Sequence, residues 1–268
     1  MHRLIERKNA RIYITGSSSK LLSKEIATSL RGRSITYNLY PLSFREFLSF
    51  KGFVIEEPLT EEDRGLIKGY LEEYVRFGGF PEICRYEEPL KIRTLQEYFE
   101  RVLYRDIVER FGIEKIDVMK ALMRIIVKNF ANRISIKRIY DILLSSGRKL
   151  SKNKVYEYFS HLEDIGFVIP VRRFSYSEIQ SIKIIPKFYM VDTGFPTIFG
   201  LKDMSRRMEN VVAVELHRRK HYFYPRLKSL TIRIEKVRLI LLFQRDLRQR
   251  NSFRSATTYR FSHEKEGG

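Results

Sequence analysis

Between residues 63 and 165, apolar side chains recur at intervals of three and four in five successive segments, and that period commits most of the chain to packed helices. Asp63 to Arg76 is amphipathic. Pro89 to Phe111 carries Leu90, Leu95, Tyr98, Phe99, Val102, Leu103, Ile107 and Val108 at helical spacing, which predicts a helical subdomain with these residues as core. Val118 to Phe130 and Ser135 to Ser145 follow, and after a turn at Gly147 so does Ser151 to Ile165.

The last three helices are succeeded by Phe167-VIPVRRF, which supplies strands for a wing. Residues 116 to 174 thus have the outline of a winged helix-turn-helix. Its third helix would present Lys152, Lys154, Tyr156 and Tyr158, and the wing Arg172 and Arg173. These residue types suit a helix in a major groove with flanking phosphate contacts. Modules of this outline also serve to connect domains or bind protein.

A different grammar governs the start of the chain. Ala10-RIYIT is rich in β-branched and aromatic residues and stops at Gly16-SSS, which predicts a buried strand ending in a polar tip. Leu21, Leu22, Ile26, Ala27 and Leu30 give helical spacing from Ser18 to Arg31, with Gly32 as the stop. Ile35-TYNLY reads as a second strand, and after Pro41 a helix begins at Ser43 with Glu46 completing a capping box. Strand, tip, helix, strand is a parallel-sheet unit, and ligands bind such sheets at the carboxyl ends of the strands, where Thr15 to Ser19 lie. A hydroxyl there can polarise a water or contact a terminal phosphate; the same serines also suit an ordinary capped loop. Arg31 and Arg33 suit either an arginine finger or solvated charge at a helix end.

Composition narrows the partners. With 51 bases against 32 acids the net charge is +19, so a polyanion such as DNA is the natural partner to consider, though charge alone does not single out nucleic acid. The longest apolar runs are too short to cross a bilayer and the first residues lack an apolar signal segment, which predicts a cytoplasmic protein with no membrane partner. Cys84 stands alone, which excludes an intramolecular disulfide and a cysteine zinc site and predicts a buried thiol. The abundance of Lys, Arg and Glu is similar to a thermophile's surface.

Ile14-TGSSSKLLSKEIATSLRGRSITYNLYPLSFREFL resembles the AAA+ ATPases of the archaeal and bacterial kind that carry a winged helix and a restriction-endonuclease-like C-terminal domain. Three further stretches resemble the same family in family order: Tyr74-VRFGGFPEI its helical lid, then Lys187-FYMVDTGFPTIFG, then Met208-ENVVAVEL. The resemblance runs from residue 10 to about 224. It implies Thr15 and Ser17 as the sensor at the strand tip, Arg31 or Arg33 as the finger, and ATP with magnesium as cofactors in intact members. It also makes a homo-oligomer a candidate assembly.

The family's phosphate loop, G-x-x-x-x-G-K-[ST], occurs nowhere in the chain. Phe53-VIEEP imitates the acidic magnesium-binding strand but follows the sensor strand, in the wrong order for the sheet. Only nine residues precede Ala10. The expectation is therefore no ATP hydrolysis by this chain alone and no cofactor as encoded, because positioning and charge neutralisation are nearly the whole of phosphoryl-transfer catalysis. A two-strand remnant also leaves an unpaired sheet edge, which invites aggregation or needs a partner.

Met208-ENVVAVELHRRKHYFYP resembles the first helix of the endonuclease-like domain, with an acidic residue near Glu215 as a metal ligand in that family. His217 and His221 have a spacing that could grip zinc, but no third ligand is evident and a solvated helix face suits them as well. After Pro225 the resemblance stops, and residues 226 to 268 carry 11 bases and 4 acids. Lys236-VRLILLF admits codons that, one register over, spell the family's G-E-V-D-F-V-I, and Gln249-RNSFRSATTY admits K-E-F-I-Q-V-S-Y in that register. The expectation is a frameshifted tail; a diverged basic tail is the competing reading.

The predicted fold class is α/β plus all-α. Residues 1 to 56 would be the remnant of a AAA+ parallel sheet, 57 to 115 a helical lid and 116 to 175 the winged helix. Residues 176 to 225 would begin an incomplete endonuclease-like α/β domain, with 226 to 268 the tail. The expected function is a truncated AAA+ ATPase relative that retains DNA binding; the alternatives are a pseudogene product or a subunit completing an ATPase with another chain.

Overall fold

The computed structural model describes residues 37–56, 58–171 and 185–223. Thr15, Ser17, Arg31, Arg33, Arg172 and Arg173 lie outside the described residues, as do the first predicted strand and helix and the tail from 226. Of the predicted second strand only 37–40 is described, and it is not a strand; nor is Phe53–Glu56. These stretches have no strand to pair with among the described residues, and alternation alone does not make a ladder.

Helix α1 is Phe44–Phe50 and α2 is Glu61–Phe77. Both start at capping boxes: the Ser43 hydroxyl accepts from the Glu46 amide at 3.3 Å while the Ser43 amide donates to the Glu46 carboxylate at 2.7 Å, and Thr60 and Asp63 repeat the arrangement at 3.1 and 3.0 Å. Glu61, Glu62 and Asp63 in the first turn of α2 complement its dipole. A 3₁₀ turn at Ile83–Arg85 leads to α3, Glu88–Arg101, with a proline in its first turn. The apolar run beyond it stays helical but widens into a π-helix over Val102–Glu109.

Then come α4 (Ile116–Lys128), α5 (Ile136–Ser145) and α6 (Lys152–Asp164), the last two capped by the Ser135 and Ser151 side chains. Strand β1, Val168–Val171, pairs antiparallel with β2, Lys187–Met190, in a register that sets Val168 opposite Met190 and Val171 opposite Lys187. The chain just after α4 adds a bridge to this sheet, Arg133 to Lys187, with the Ala131 amide donating to the Phe188 carbonyl at 2.7 Å. A 3₁₀ segment, Phe195–Phe199, and the 20-residue α7, Met204–Phe223, complete the described order.

The described part is mostly helical with one small antiparallel sheet. One apolar cluster runs from Phe99 on α3 through α4, α5, α6 and both strands to Val214 on α7. A smaller one joins Phe47, Tyr74, Val75 and Cys84 to Val211 on α7. Cys84 is buried as predicted, and burial pushes its thiol up to about 11, so it stays protonated and unreactive at neutral pH. No helix among the described residues is long and apolar enough to cross a membrane.

Candidate functional site

Helix α2 ends where Gly78 takes φ 82°, ψ −166°, a conformation open essentially to glycine. The turn brings the backbone of Gly78 and Gly79 onto Asp192, which follows β2. A Cβ on Gly78 would lie 1.7 Å from the Asp192 Oδ1, and one on Gly79 2.2 Å from the Leu42 carbonyl oxygen. Both glycines are therefore dictated by close approach. The Asp192 Oδ2 accepts from the Gly79 amide at 2.8 Å and Oδ1 from the Gly194 amide at 2.7 Å. Asp192 is 4% exposed. Burial pushes its carboxyl up to about 6, against the opposing pull of the two amides and the Arg207 charge.

Arg207, 3% exposed, closes the junction from α7. Its Nη1 donates to the carbonyls of Val75 at 3.2 Å, Arg76 at 2.8 Å and Thr193 at 3.0 Å, and its Nη2 to that of Leu201. It thereby satisfies carbonyls at the carboxyl end of α2, where a cation also meets the negative end of the helix dipole. Burial and the neighbouring Arg76 lower its guanidinium to about 10, which leaves it charged at neutral pH. Thr193 and Thr197 donate to the Tyr74 and Arg76 carbonyls from the same side.

The first turns of α7 grip the other modules by the same means. Arg206 donates to the Phe130 carbonyl at 2.9 Å and the Lys128 carbonyl at 3.0 Å, capping α4, and covers the Phe130 ring. Glu209 accepts from Lys187 Nζ and from the Tyr189 hydroxyl, both at 2.6 Å. Asn210 is fully buried; its Oδ1 accepts from the Met190 amide and its Nδ2 donates to the Met190 carbonyl, each at 2.8 Å. Farther along, Arg218 reaches the Pro41 carbonyl at 2.6 Å and Glu46 at 2.9 Å. Glu215 is engaged by Arg219 at 2.9 Å and Arg218 at 3.6 Å, and His217 meets the Tyr40 ring edge-on. Among the described residues no group of three His, Cys, Asp or Glu could hold a metal ion.

The second feature is the outer face of α6. Val155, Tyr158, Phe159 and Leu162 point into the core, leaving Lys152, Asn153, Tyr156, Glu157 and Ser160 toward solvent. Tyr156 is 49% exposed. Tyr158, predicted on the presented face, is 1% exposed: it falls three residues after Val155, on the stripe that packs inward. Lys154 is half-buried, lies over the Tyr158 ring and donates to Glu157 at 2.7 Å, a bond that raises its pKa. The turn before α6 is tied down by Lys115, whose Nζ donates to the Lys149 carbonyl at 2.8 Å. On the inner side His161 stacks on Phe111 with ring centres 3.9 Å apart, and burial lowers its pKa.

Of the residues predicted on the presented face of α6, Lys152 and Tyr156 are exposed, Lys154 is half-buried and Tyr158 is buried; Asp192, Arg207 and Asn210 were not predicted as site residues. The signal available was a polar residue inside an otherwise apolar run, Met190-VDTGF, and an Asn on the buried stripe of α7. A buried polar side chain needs partners, and these take theirs from backbone that sequence periodicity does not register.

The fold and these two features define a mostly helical protein with a small sheet, locked by buried side-chain-to-backbone contacts. The chain belongs to the family described as a domain of unknown function (DUF8612), whose model matches residues 68–204, a little over half of its length. Residues 1–48 match an AAA domain model. The chain is similar to an uncharacterized protein, MJ1544, of Methanocaldococcus jannaschii, with 40% identity over 229 residues covering 82% of this chain and 51% of the relative. It is 30% identical over 214 residues to an uncharacterized protein of Haemophilus influenzae, covering 79% and 52%. The chain thus spans about half the length of these curated relatives. No solved structure matches it.

Proposed function

We propose that residues 116–175 form a winged helix-turn-helix, completed by β2 where it pairs with β1, that binds duplex DNA through α6, within a AAA+-type ATPase relative that does not hydrolyse ATP by itself. The observation that carries the reading is the solvent face of α6. Lys152, Asn153, Tyr156 and Ser160 project, beside a Glu157 whose carboxylate is paired with Lys154, from a helix whose opposite face is anchored in the core. A cation, an amide, a phenol and a hydroxyl are groups that reach phosphates and base edges. The order of helix, bridge, helix, helix, strand and strand supports the winged-helix outline, and the charge of +19 supports a polyanionic ligand. Arg172 and Arg173, outside the described residues, directly follow β1 and would meet flanking phosphates. Lys154 would exchange Glu157 for a phosphate, which makes it a weaker contact than Lys152.

In the segment that matches the AAA domain, Thr15 and Ser17 would act as sensor hydroxyls and Arg31 or Arg33 as finger. The last 43 or so residues we take to be read from a shifted frame, which the nucleotide sequence of the locus decides. Fluorescence anisotropy with a labelled duplex of about 20 base pairs tests the DNA reading. Lys152→Glu and Tyr156→Ala should each weaken binding about tenfold, the scale of one lost groove contact, while Lys68→Glu on α2 should leave it unchanged. Equal affinity for all four proteins rejects it.

A further inference from the structure

The strand that closes the small sheet is held on one edge by β1 and on the other by the 131–133 segment at Lys187 and Phe188 and by α7 at Met190. Asn210 makes both hydrogen bonds that an additional strand would make to Met190, one to its amide and one to its carbonyl, each 2.8 Å. One residue earlier, Glu209 takes both Lys187 and Tyr189, two positions apart and therefore on one face of β2. These contacts span β2 from its first residue to its last. The same turn of α7 caps α4 through Arg206, the helix from which the chain bridges to Lys187. All of these side chains lie past residue 204, where the match to the DUF8612 family ends.

We propose that Glu209 and Asn210 are positioning residues of the DNA-contacting module: they fix β2 in register on β1, and so set the geometry that the module offers to a duplex, from a helix outside the matched domain. The proposal rests on the DNA-binding reading above. Its physical basis is that no other hydrogen bond to the Met190 main chain is available from the side of α7. Removing Asn210 leaves a buried amide and a buried carbonyl unpaired, a loss on the order of tenfold or more in the opening equilibrium of that strand. Glu209 acts on the end of the same strand that begins at Lys187; its ion pair with Lys187 is partly solvated and contributes less, while its bond from the Tyr189 hydroxyl comes from a buried residue.

The test uses the full chain carrying Asn210→Leu, which keeps the volume and removes both bonds, and Glu209→Gln, which keeps an acceptor. Two measurements are made on each. Amide hydrogen exchange should quicken about tenfold or more at Met190 in Asn210→Leu, with Leu122 and Ile126 in α4 unchanged. Duplex affinity should fall by about the same factor, with Glu209→Gln intermediate in both. Unchanged exchange at Met190, or equal acceleration in α4, overturns the anchoring role whatever the duplex result. Selective acceleration with unchanged duplex affinity overturns the positioning role. Failure of the unsubstituted protein to bind duplex rejects the DNA reading, and with it the positioning role, while the exchange data still decide whether α7 anchors β2. Should Asn210→Leu not fold, Glu209→Gln alone must show the smaller shift in both measurements, and no shift in either overturns the proposal.

Discussion

Adding one methyl group at Gly78 should disrupt the junction more than any other conservative change in it. The alanine Cβ would stand 1.7 Å from the Asp192 Oδ1 and 2.3 Å from its Cγ, so the carboxylate must leave its place. The backbone at φ 82° and ψ −166° adds a penalty of about 1 to 3 kcal/mol for a non-glycine residue. Displacing Asp192 strips the Gly79 and Gly194 amides of their acceptor, about 1 to 3 kcal/mol for a buried donor. Together these give about 4 kcal/mol, and at about 2 to 4 °C per kcal/mol for a chain of this size the melting temperature should fall by about 10 °C. A double-mutant cycle isolates the clash. Asp192→Ala alone should cost about 3 kcal/mol for the two unpaired amides, yet in the Gly78→Ala background it removes the atoms that the methyl strikes. The two changes should fall short of additive by about 3 kcal/mol, the loss of the two amide partners that both share, measured by denaturant unfolding followed by circular dichroism. Additivity within about 0.5 kcal/mol refutes the steric argument, because independent sites combine in that way.

Two further outcomes follow from single residues. The Asp192 carboxyl sits at about 6 in the folded protein against 3.8 for the ordinary group, so the folded state holds its proton more tightly. The stability this supplies is fully present below about pH 4 and is lost as pH rises through 6, by up to about 3 kcal/mol. The stability difference between the unsubstituted protein and Asp192→Asn, measured from pH 4 to 7, should shift against aspartate across that window and level off above it; a flat difference contradicts the assignment. Ala131 holds φ 55° because its amide is tied to the Phe188 carbonyl at 2.7 Å. Ala131→Gly should therefore stabilise by about 0.5 to 1 kcal/mol in the same unfolding assay, relieving a left-handed backbone that alanine tolerates poorly; destabilisation shows that the strain is absent.

How legible all this was depends on the kind of force involved. The helices between 61 and 164 were legible because a buried stripe writes itself into the sequence with a period near 3.6, and the starts at Ser43, Ser135 and Ser151 were legible because these side chains satisfy orphan amides; the Thr60 cap, three residues before the predicted start at Asp63, was not read. The π-helix at Val102–Glu109 was not, since its apolar spacing fits an α-helix nearly as well. Residues 37–40 alternate as a strand does, yet strand formation needs a neighbour, and alternation does not name one. Tyr158 was assigned outward on residue type, when its distance from Val155 placed it inward. The Asp192 junction joins segments more than a hundred residues apart through main-chain groups, which are the same in every residue. Of the three stretches quoted for their family likeness, those around Gly78 and Asp192 are packed against each other and on α7, which contains the third, around Asn210.

The central claim, that a basic helix-turn-helix module held by α7 engages the phosphates of a duplex, is tested most directly by the salt dependence of binding. Plotted as log affinity against log salt between 50 and 200 mM, contacts from about four cationic side chains predict a slope of about −3 to −4, since each neutralised phosphate contributes about −0.9. Lys152→Glu should make that slope shallower by about 1. A slope near zero, or no binding at the lowest salt, contradicts the account.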